Sequence, residues 1–254
     1  MNKYGVHLFR SEIHLPIMRH VSQFSEEKRD KAMLSLKAFS EFFGRLHERF
    51  MILMEVEDEL CRYNEKLINK IESRPLDQIQ MDMVDKTEAF HQQIYSTFSS
   101  FIKLLSLIQK DFIKKEHIRS NQKFINYIKE IFKDNIKYDI SPLEKSLKYR
   151  STYIDHTSQI RHFDWMTYFT GQIAHVIYYE PDKNGDHQDI TPYIDTGGIE
   201  TNFQLKTPVK VKSFFVTPNH APVYFALYEF VIVVLKNIKI NNILENNYDP
   251  KHNR

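Results

Sequence analysis

The chain has 254 residues and carries 35 Lys or Arg against 33 Asp or Glu, so its formal net charge is only +2. This length is enough to bury a sizeable core, as one large domain or two small ones. The charge balance excludes a global attraction to nucleic acid, so binding of nucleic acid would require a local basic patch. With six glycines and no phosphate-loop pattern the sequence lacks a glycine-rich nucleotide site, and its single cysteine excludes an intramolecular disulfide.

Neither end of the sequence predicts a membrane segment. Residues 1–20 carry Arg, Glu and His throughout and have no apolar core of the signal-peptide type. The most apolar run, Val223–Leu235, contains Glu229 and is shorter than the roughly 20 residues that cross a bilayer. The sequence therefore predicts a soluble protein without a membrane partner, and the lone Cys61 agrees with a reducing, cytoplasmic location.

Two long helices are predicted first. Ser25 is a candidate N-cap, and no proline interrupts the chain from there to about Ser73. Arg74-Pro75 ends this helix, and Asp77 can cap a second helix that runs to about Lys115. Two such helices with a tight connection predict an antiparallel hairpin, the nucleus of a bundle. The apolar stripe of the first helix comprises Leu34, Phe39, Phe42, Phe43, Leu46, Phe50, Leu53, Met54 and Leu60.

Shorter elements are predicted in the second half of the chain. A helix from about Asn121 to Lys133 is followed by Ser141-Pro142-Leu143-Glu144, a helix-start pattern with Ser as N-cap. After about Trp165 the composition becomes β-prone, and Ile173–Tyr179 is a candidate strand. The apolar run from about Pro222 predicts a final helix that packs into the bundle.

These elements together predict a mainly α fold. The expected architecture is an antiparallel helical bundle with long helices and a small β-hairpin or β-sheet insertion in the C-terminal third. Because the sequence has no internal repeat and no low-complexity linker, residues 1–254 are predicted to form a single domain. Its helical core comprises about residues 25–165 and 220–240, and the β-rich insertion comprises about residues 170–218.

Arg150 and His156 are the residues of this sequence that best suit catalysis. Cleavage of RNA by internal transesterification needs a base, an acid and a cation that stabilises the phosphorane. Histidine transfers protons near neutral pH, and the guanidinium fork of arginine matches phosphate oxygens. Six residues on a straight helix separate two side chains by roughly 120°. A shared site therefore requires the helix to end or bend near Asp155, or a second subunit to complete it. Spacing alone also fits a solvated arginine and a hydrogen-bonded histidine.

The segment Tyr149-Arg150-Ser151-Thr152-Tyr153-Ile154-Asp155-His156 resembles the signature of the HEPN superfamily (higher eukaryotes and prokaryotes nucleotide-binding domain), in which four to six residues separate an Arg from a His. The resemblance implies a bundle of four or five helices with the motif on a late helix. It also implies a metal-independent RNase of toxin–antitoxin, abortive-infection or other phage-defence systems. By this resemblance Arg150 and His156 are the catalytic pair of a homodimer, and the protein uses neither a cofactor nor a metal ion.

Further residues are candidates for supporting roles. Asp155 is placed to orient a histidine, Ser151 stands where many members of the family have Asn, and Tyr153 offers a ring on which a base can stack. Lys148 and Arg161 belong to a basic group along the same predicted helix and are candidates for RNA binding. The expected partners are RNA, a second copy of the chain and an antitoxin protein.

Two alternative functions remain open from the sequence. The first is a non-catalytic helical protein that binds a partner or RNA. The second is a metal-dependent helical-bundle enzyme that uses Glu88-Ala-Phe-His91, a Glu-x-x-His motif. A di-iron bundle needs two such motifs and two further glutamates, and this sequence has only one motif, so a solvated Glu88–His91 pair is the favoured interpretation.

Overall fold

The computed structural model describes residues 7–63, 66, 69, 74–109, 113, 117–132, 136, 138–149, 164–170, 173–179, 220–238 and 240. In chain order the elements are a π-helix (Phe9–His14), α1 (Leu15–Val21), α2 (Glu26–Cys61), α3 (Leu76–Ile108), α4 (Asn121–Ile131), α5 (Ser141–Tyr149), β1 (Asp164–Thr170), β2 (Ile173–Tyr179) and α6 (His220–Asn237). This part of the chain is mainly helical, which confirms the predicted fold class at that level. Within it, no helix has both the length and the apolar character that spanning a bilayer demands.

The chain divides into two compact units. The first comprises Met1–Arg49, His91–Leu147 and Val223–Arg254, and the second comprises Phe50–Phe90 and Lys148–Pro222. Helices α2, α3, α5 and α6 each have residues in both units. The single domain expected from the sequence stays a prediction.

In the first unit, α2 and α3 run antiparallel to each other. Gln93 Nε2 donates to the carbonyl oxygen of Phe42 at 2.9 Å, and Thr97 Oγ1 donates to the same oxygen at 3.2 Å. Phe39, earlier on α2, meets Phe101, later on α3, with ring centroids 5.4 Å apart. Gln93 and Thr97 are buried polar residues, so these hydrogen bonds satisfy donors that have no access to water.

Three phenylalanine rings form the centre of the first unit. Phe98 of α3, Phe124 of α4 and Phe230 of α6 are fully buried, and their ring centroids are 5.4–6.1 Å apart. Burying a side chain of this size stabilises the fold by roughly 1.5–3 kcal/mol. Helix α4 begins after Ser120, whose hydroxyl accepts from the backbone N–H of Lys123 at 3.2 Å as an N-cap.

In the second unit, Arg74 connects α2 and α3. Its guanidinium donates to Glu59 of α2 and to Asp82 of α3, the latter at 2.6 Å. These hydrogen bonds lower the pKa of both carboxyl groups below the ordinary value. Phe50 and Phe90 pack together in the same unit, with centroids 6.1 Å apart.

The second unit also contains an antiparallel pair of strands. Strands β1 and β2 pair from Asp164 opposite Tyr179 to Thr170 opposite Ile173. Residues 180–219 lie outside the described part of the chain, so the β-rich insertion expected at about residues 170–218 stays a prediction.

Some positions in the predicted helices differ from the structure. Leu34, assigned to the inner stripe, is 71% exposed, while Phe39, Phe43 and Leu46 of that stripe are buried. Leu34 lies five positions before Phe39, so it is out of step with the three- and four-residue spacing of the stripe that begins there. A residue outside this period lies on a different face of the helix from the buried stripe, and Leu34 is accordingly in solvent near the start of α2.

Candidate functional site

Most residues of the predicted catalytic segment lie outside the described residues. These are Arg150, Ser151, Tyr153, Asp155 and His156, together with Arg161. Lys148 is described, and it is exposed in the last turn of α5. The geometry of the Arg150–His156 pair therefore stays a prediction, and the structure describes the helix that leads to it.

Helix α5 begins at Ser141, as the sequence predicts, but with a different cap. The backbone N–H of Ser141 donates to Asp139 Oδ1 at 2.8 Å, and the hydroxyl of Ser141 donates to Asp139 Oδ2 at 2.9 Å. These two hydrogen bonds hold the pKa of Asp139 below its ordinary value. The carboxylate two residues upstream thus accepts from the first backbone N–H of the helix, where the sequence assigned the capping role to the Ser141 hydroxyl.

The middle of α5 is attached to α3 by a buried hydrogen bond. His91 Nδ1 and Ser146 Oγ lie 2.7 Å apart, and neither residue is exposed to solvent. The interpretation of Glu88 and His91 as a solvated pair is therefore wrong for His91, since this histidine is a core residue. In the part of the chain that is described, His, Cys, Asp and Glu residues do not gather in threes as a metal site requires.

A second set of residues, which the sequence patterns did not identify, forms a cleft of about 390 Å³ in the first unit. Helix α2 contributes Ser40, Phe43, Gly44 and His47, which lie on one helical face because their spacing is i, i+3, i+4 and i+7. The π-helix contributes Phe9, Arg10 and His14. We call this the Arg10 cleft. Its volume falls within the range of small-molecule sites, about 300–1,000 Å³.

The π-helix brings its three cleft residues to one side. Its i→i+5 hydrogen bonds widen the turn, so residues four and five positions apart share a face, as Arg10 and Phe9 do with His14. Pro16 follows in the first turn of α1 and has no N–H to donate to the carbonyl of Glu12, which removes one α-helical hydrogen bond at this point. Single-turn π-helical segments occur frequently at functional sites.

Two aromatic rings and a missing side chain shape the Arg10 cleft. Phe9 and Phe43 are buried and stacked, with centroids 4.3 Å apart and planes inclined by 21°. Arg10 and Gly44 are exposed, so the cleft opens to solvent beside them. Apart from Gly44 itself, its two chain neighbours and the nearby backbone of its own helix, nothing in the protein lies within 4 Å of the position that a Cβ would take on Gly44. The two rings form the buried apolar wall of the cleft, and the missing side chain of Gly44 leaves space at its opening.

The hydrogen bonds of Ser40 fix the tautomer of His14. Ser40 Oγ donates its only proton to the carbonyl oxygen of Leu36 at 2.9 Å. In the 2.8 Å hydrogen bond between His14 Nδ1 and Ser40 Oγ, the histidine must therefore be the donor. Burial, and secondly the nearby positive charge of Arg10, lower the pKa of His14. The imidazole is neutral at neutral pH, and its Nε2 is a hydrogen-bond acceptor.

His47 supplies a second neutral imidazole to the Arg10 cleft. Its Nδ1 lies 3.1 Å from the hydroxyl of Tyr224, and burial lowers the pKa of His47. Burial also raises the pKa of Tyr224 to about 12, so the phenol keeps its proton. His47 Nε2 is shielded from solvent and makes no hydrogen bond to any residue that the structure describes. A buried polar atom in this state calls for an explanation such as a bound ligand or water.

Arg10 provides the formal positive charge of the cleft. It makes no hydrogen bond or ion pair with the described residues. Its sequence signal is weak, because a single arginine near the N-terminus has no characteristic pattern. The sequence does contain a signal for the helices here, which is a run of apolar residues at four-residue steps. These residues are all buried in the structure: Phe9, Ile13, Ile17 and Val21.

No family model, no curated protein and no solved structure matches this chain. The resemblance to the HEPN superfamily therefore rests on the segment Tyr149–His156 and on the order of the predicted helices. The function is proposed from those residues.

Proposed function

We propose that the protein is a metal-independent endoribonuclease of the toxin or phage-defence type, in which Arg150 binds the scissile phosphate and His156 transfers protons. The observation that carries the proposal is the Arg-x5-His pattern that directly follows α5 in a mainly helical chain. RNA is the proposed substrate, and a second copy of the chain is the proposed partner. An antitoxin protein would be the natural inhibitor of such an enzyme.

The anchoring of α5 supports this proposal. In the first unit, His91 of α3 holds Ser146, and Lys129 of α4 forms an ion pair with Glu144 at 2.9 Å. Asp139 holds the first residue of the helix. A helix attached at its start and its middle provides the rigid support that catalytic groups need, because errors of about 1 Å in their placement cost activity.

The proposed reaction requires no group beyond the chain and the RNA. The 2′-oxygen attacks the phosphorus and the bond from phosphorus to the 5′-oxygen breaks, which leaves a 2′,3′-cyclic phosphate and a 5′-hydroxyl. A neutral His156 accepts the proton of the 2′-hydroxyl, and a protonated His156 of the second copy gives a proton to the 5′-oxygen. Arg150 stabilises the additional charge on the phosphorane, while Lys148 and Arg161 bind neighbouring phosphates.

Cleavage of RNA in the presence of EDTA tests the proposal. The wild-type protein should produce 2′,3′-cyclic phosphate ends, and Arg150→Ala and His156→Ala should each reduce the rate at least about 100-fold. Arg45→Ala, which removes an exposed arginine of α2, is the matched control and should retain activity. Unchanged cleavage by both variants would refute the assignment of the pair.

Two other outcomes separate the proposal from its alternatives. RNA binding without any cleavage would favour a non-catalytic RNA-binding protein. Activity that disappears in EDTA and returns with a divalent metal would favour a metal-dependent enzyme. The structure gives this last alternative little support at Glu88-x-x-His91, because His91 Nδ1 is hydrogen-bonded to Ser146 in the core.

A further inference from the structure

We propose that the Arg10 cleft is a binding site for a small ring carboxylate that also carries a hydroxyl group. This site consists of residues of the π-helix and α2 and is separate from the Arg150–His156 segment. Its ligand does not depend on whether the protein cleaves RNA.

The charge of the cleft indicates a monoanion. Arg10 is exposed at the opening and has no ion-pair partner among the described residues, and its planar fork can hold a carboxylate through two hydrogen bonds. His14 and His47 add no charge at neutral pH, because burial lowers the pKa of both. Glu12, on the π-helix, accepts from the hydroxyl of Tyr228 at 2.8 Å. One positive group matches a carboxylate better than a polyphosphate.

The walls of the cleft indicate a ring-sized apolar body. Phe9 and Phe43 are buried rings that line the cleft, and the space beside Gly44 contains no protein atom within 4 Å of the absent Cβ. An apolar group in the cleft removes from water the apolar surface that its lining still exposes, which favours binding. A purely ionic ligand such as phosphate would leave this surface uncovered.

The histidines indicate a hydroxyl on the ligand. His14 uses Nδ1 as a donor to Ser40, so Nε2 is the nitrogen left for a ligand, and in the neutral ring it accepts a hydrogen bond. His47 Nε2 is a second lining atom that lacks a hydrogen bond within the described part of the protein. A ligand with a hydroxyl can satisfy one of these nitrogens while its carboxylate pairs with Arg10. The site should therefore favour such a ligand over one without a hydroxyl, because a ligand without it leaves these nitrogens without a hydrogen bond.

Titration of the full-length protein with 2-, 3- and 4-hydroxybenzoate, followed by calorimetry or ligand-observed NMR, tests this inference. At least one isomer should bind at millimolar or lower concentration. Benzoate should bind more weakly because it has no hydroxyl. The methyl ester of the same isomer should bind at least about tenfold more weakly, since it cannot form the charge-assisted pair with Arg10.

Two variants locate the ligand in the cleft. Arg10→Gln should weaken binding about tenfold or more, and Gly44→Leu should abolish it by filling the space beside the missing Cβ. Leucine is a good helix former, so Gly44→Leu should retain the helical circular-dichroism signal of the wild type. Arg19→Gln, which removes an exposed arginine of α1, is the control and should bind as the wild type does.

The opposite results overturn the inference. The first is no binding of any hydroxybenzoate at about 10 mM, which is tenfold above the millimolar affinity expected. The others are equal binding of acid and methyl ester, and unchanged binding by a folded Gly44→Leu variant. Tighter binding of inorganic phosphate than of every hydroxybenzoate would also overturn it. RNA cleavage is measured separately, and neither its presence nor its absence changes these outcomes.

Discussion

His220, the first residue of α6, and Glu57 of α2 form a hydrogen-bonded pair in the core of the second unit. Nδ1 of His220 donates to Oε1 of Glu57, and the exposed fractions of the two side chains are 0% and 1%. Phe90 packs edge-to-face on His220, with centroids 5.9 Å apart. When two ionisable groups are removed from water in this way, loss of either one leaves the other buried without its partner.

We expect Glu57→Ala to destabilise the protein strongly. Removing one member of a buried pair leaves the other without its compensating partner, which costs about 3–5 kcal/mol in free energy of unfolding. Urea denaturation followed by circular dichroism measures the change. Glu55→Ala, an exposed position on the same helix, should change the stability by about 0.5 kcal/mol or less. A Glu57→Ala variant as stable as Glu55→Ala would show that the pair contributes nothing.

Replacement of Gly44 by alanine should stabilise the protein. Glycine inside a helix costs about 0.5–1 kcal/mol relative to alanine, and here the added methyl group meets no atom within 4 Å. The midpoint of urea denaturation should therefore rise. Lys37→Ala, at an exposed position of the same helix, controls for a general effect of alanine and should change stability by only a few tenths of a kcal/mol. A lower midpoint for Gly44→Ala would contradict the open space described beside Gly44.

Ser146→Ala should weaken the attachment of α5. The substitution removes a buried 2.7 Å hydrogen bond to His91, and the loss of such a bond costs about 1–3 kcal/mol. Hydrogen exchange of α5 amides should become faster, and the urea midpoint should fall. Ser96→Ala is the matched control, because the hydroxyl of the half-buried Ser96 makes a solvent-exposed hydrogen bond within its own helix. Equal effects of the two substitutions would argue against an anchoring role for His91.

Stability should fall as the pH is lowered from 7.5 to 5. Burial lowers the pKa of His14, His20 and His47 below the ordinary value of 6.5. Below pH 6.5 the unfolded chain therefore binds more protons than the folded chain does, so the free energy of unfolding decreases with falling pH until the lowered pKa values are passed.

Urea midpoints measured across this pH range check the prediction. A His14→Gln/His47→Gln variant should show a smaller decrease than the wild type, because two of the three histidines no longer titrate. The carboxyl groups of Glu59 and Asp82 have lowered pKa values as well, but their contribution is lost only at more acidic pH, below about 4. Identical pH profiles of variant and wild type would show that these histidines do not account for the effect.

The sequence predicts the local features of this fold well. Pro75 directly precedes α3, and Ser141-Pro142 marks the start of α5, because backbone hydrogen bonding at these positions is decided by a few neighbouring residues. The end of the first helix is different, since α2 ends at Cys61 and not at Arg74-Pro75 as predicted. The hydrogen bond between His91 and Ser146, by contrast, could not be predicted from neighbouring residues. The two residues are 55 positions apart, and only the packing of α3 against α5 brings them together in the first unit.

The Arg10 cleft could not be predicted for the same reason. His14 and Ser40 are 26 residues apart in the sequence. Gly44 alone predicts only a less stable position in a helix, and its role in the cleft becomes clear only from the π-helix residues that line the same space. The sequence pattern at Arg150 and His156 is the reverse case. There the spacing of two residues predicts a catalytic site, and both residues lie outside the described part of the chain.

The separation of Glu57 and His220 has a consequence for synthesis of the chain. Arg74, Glu59 and Asp82 are close in sequence and can join the two helices of the hairpin as soon as they leave the ribosome. The histidine that pairs with Glu57 is 163 residues downstream of it. In a nascent chain, Glu57 therefore has no His220 to pair with until the start of α6 has been translated. Closure of the hairpin and formation of the Glu57–His220 pair are therefore separate events during synthesis, and the pair forms second.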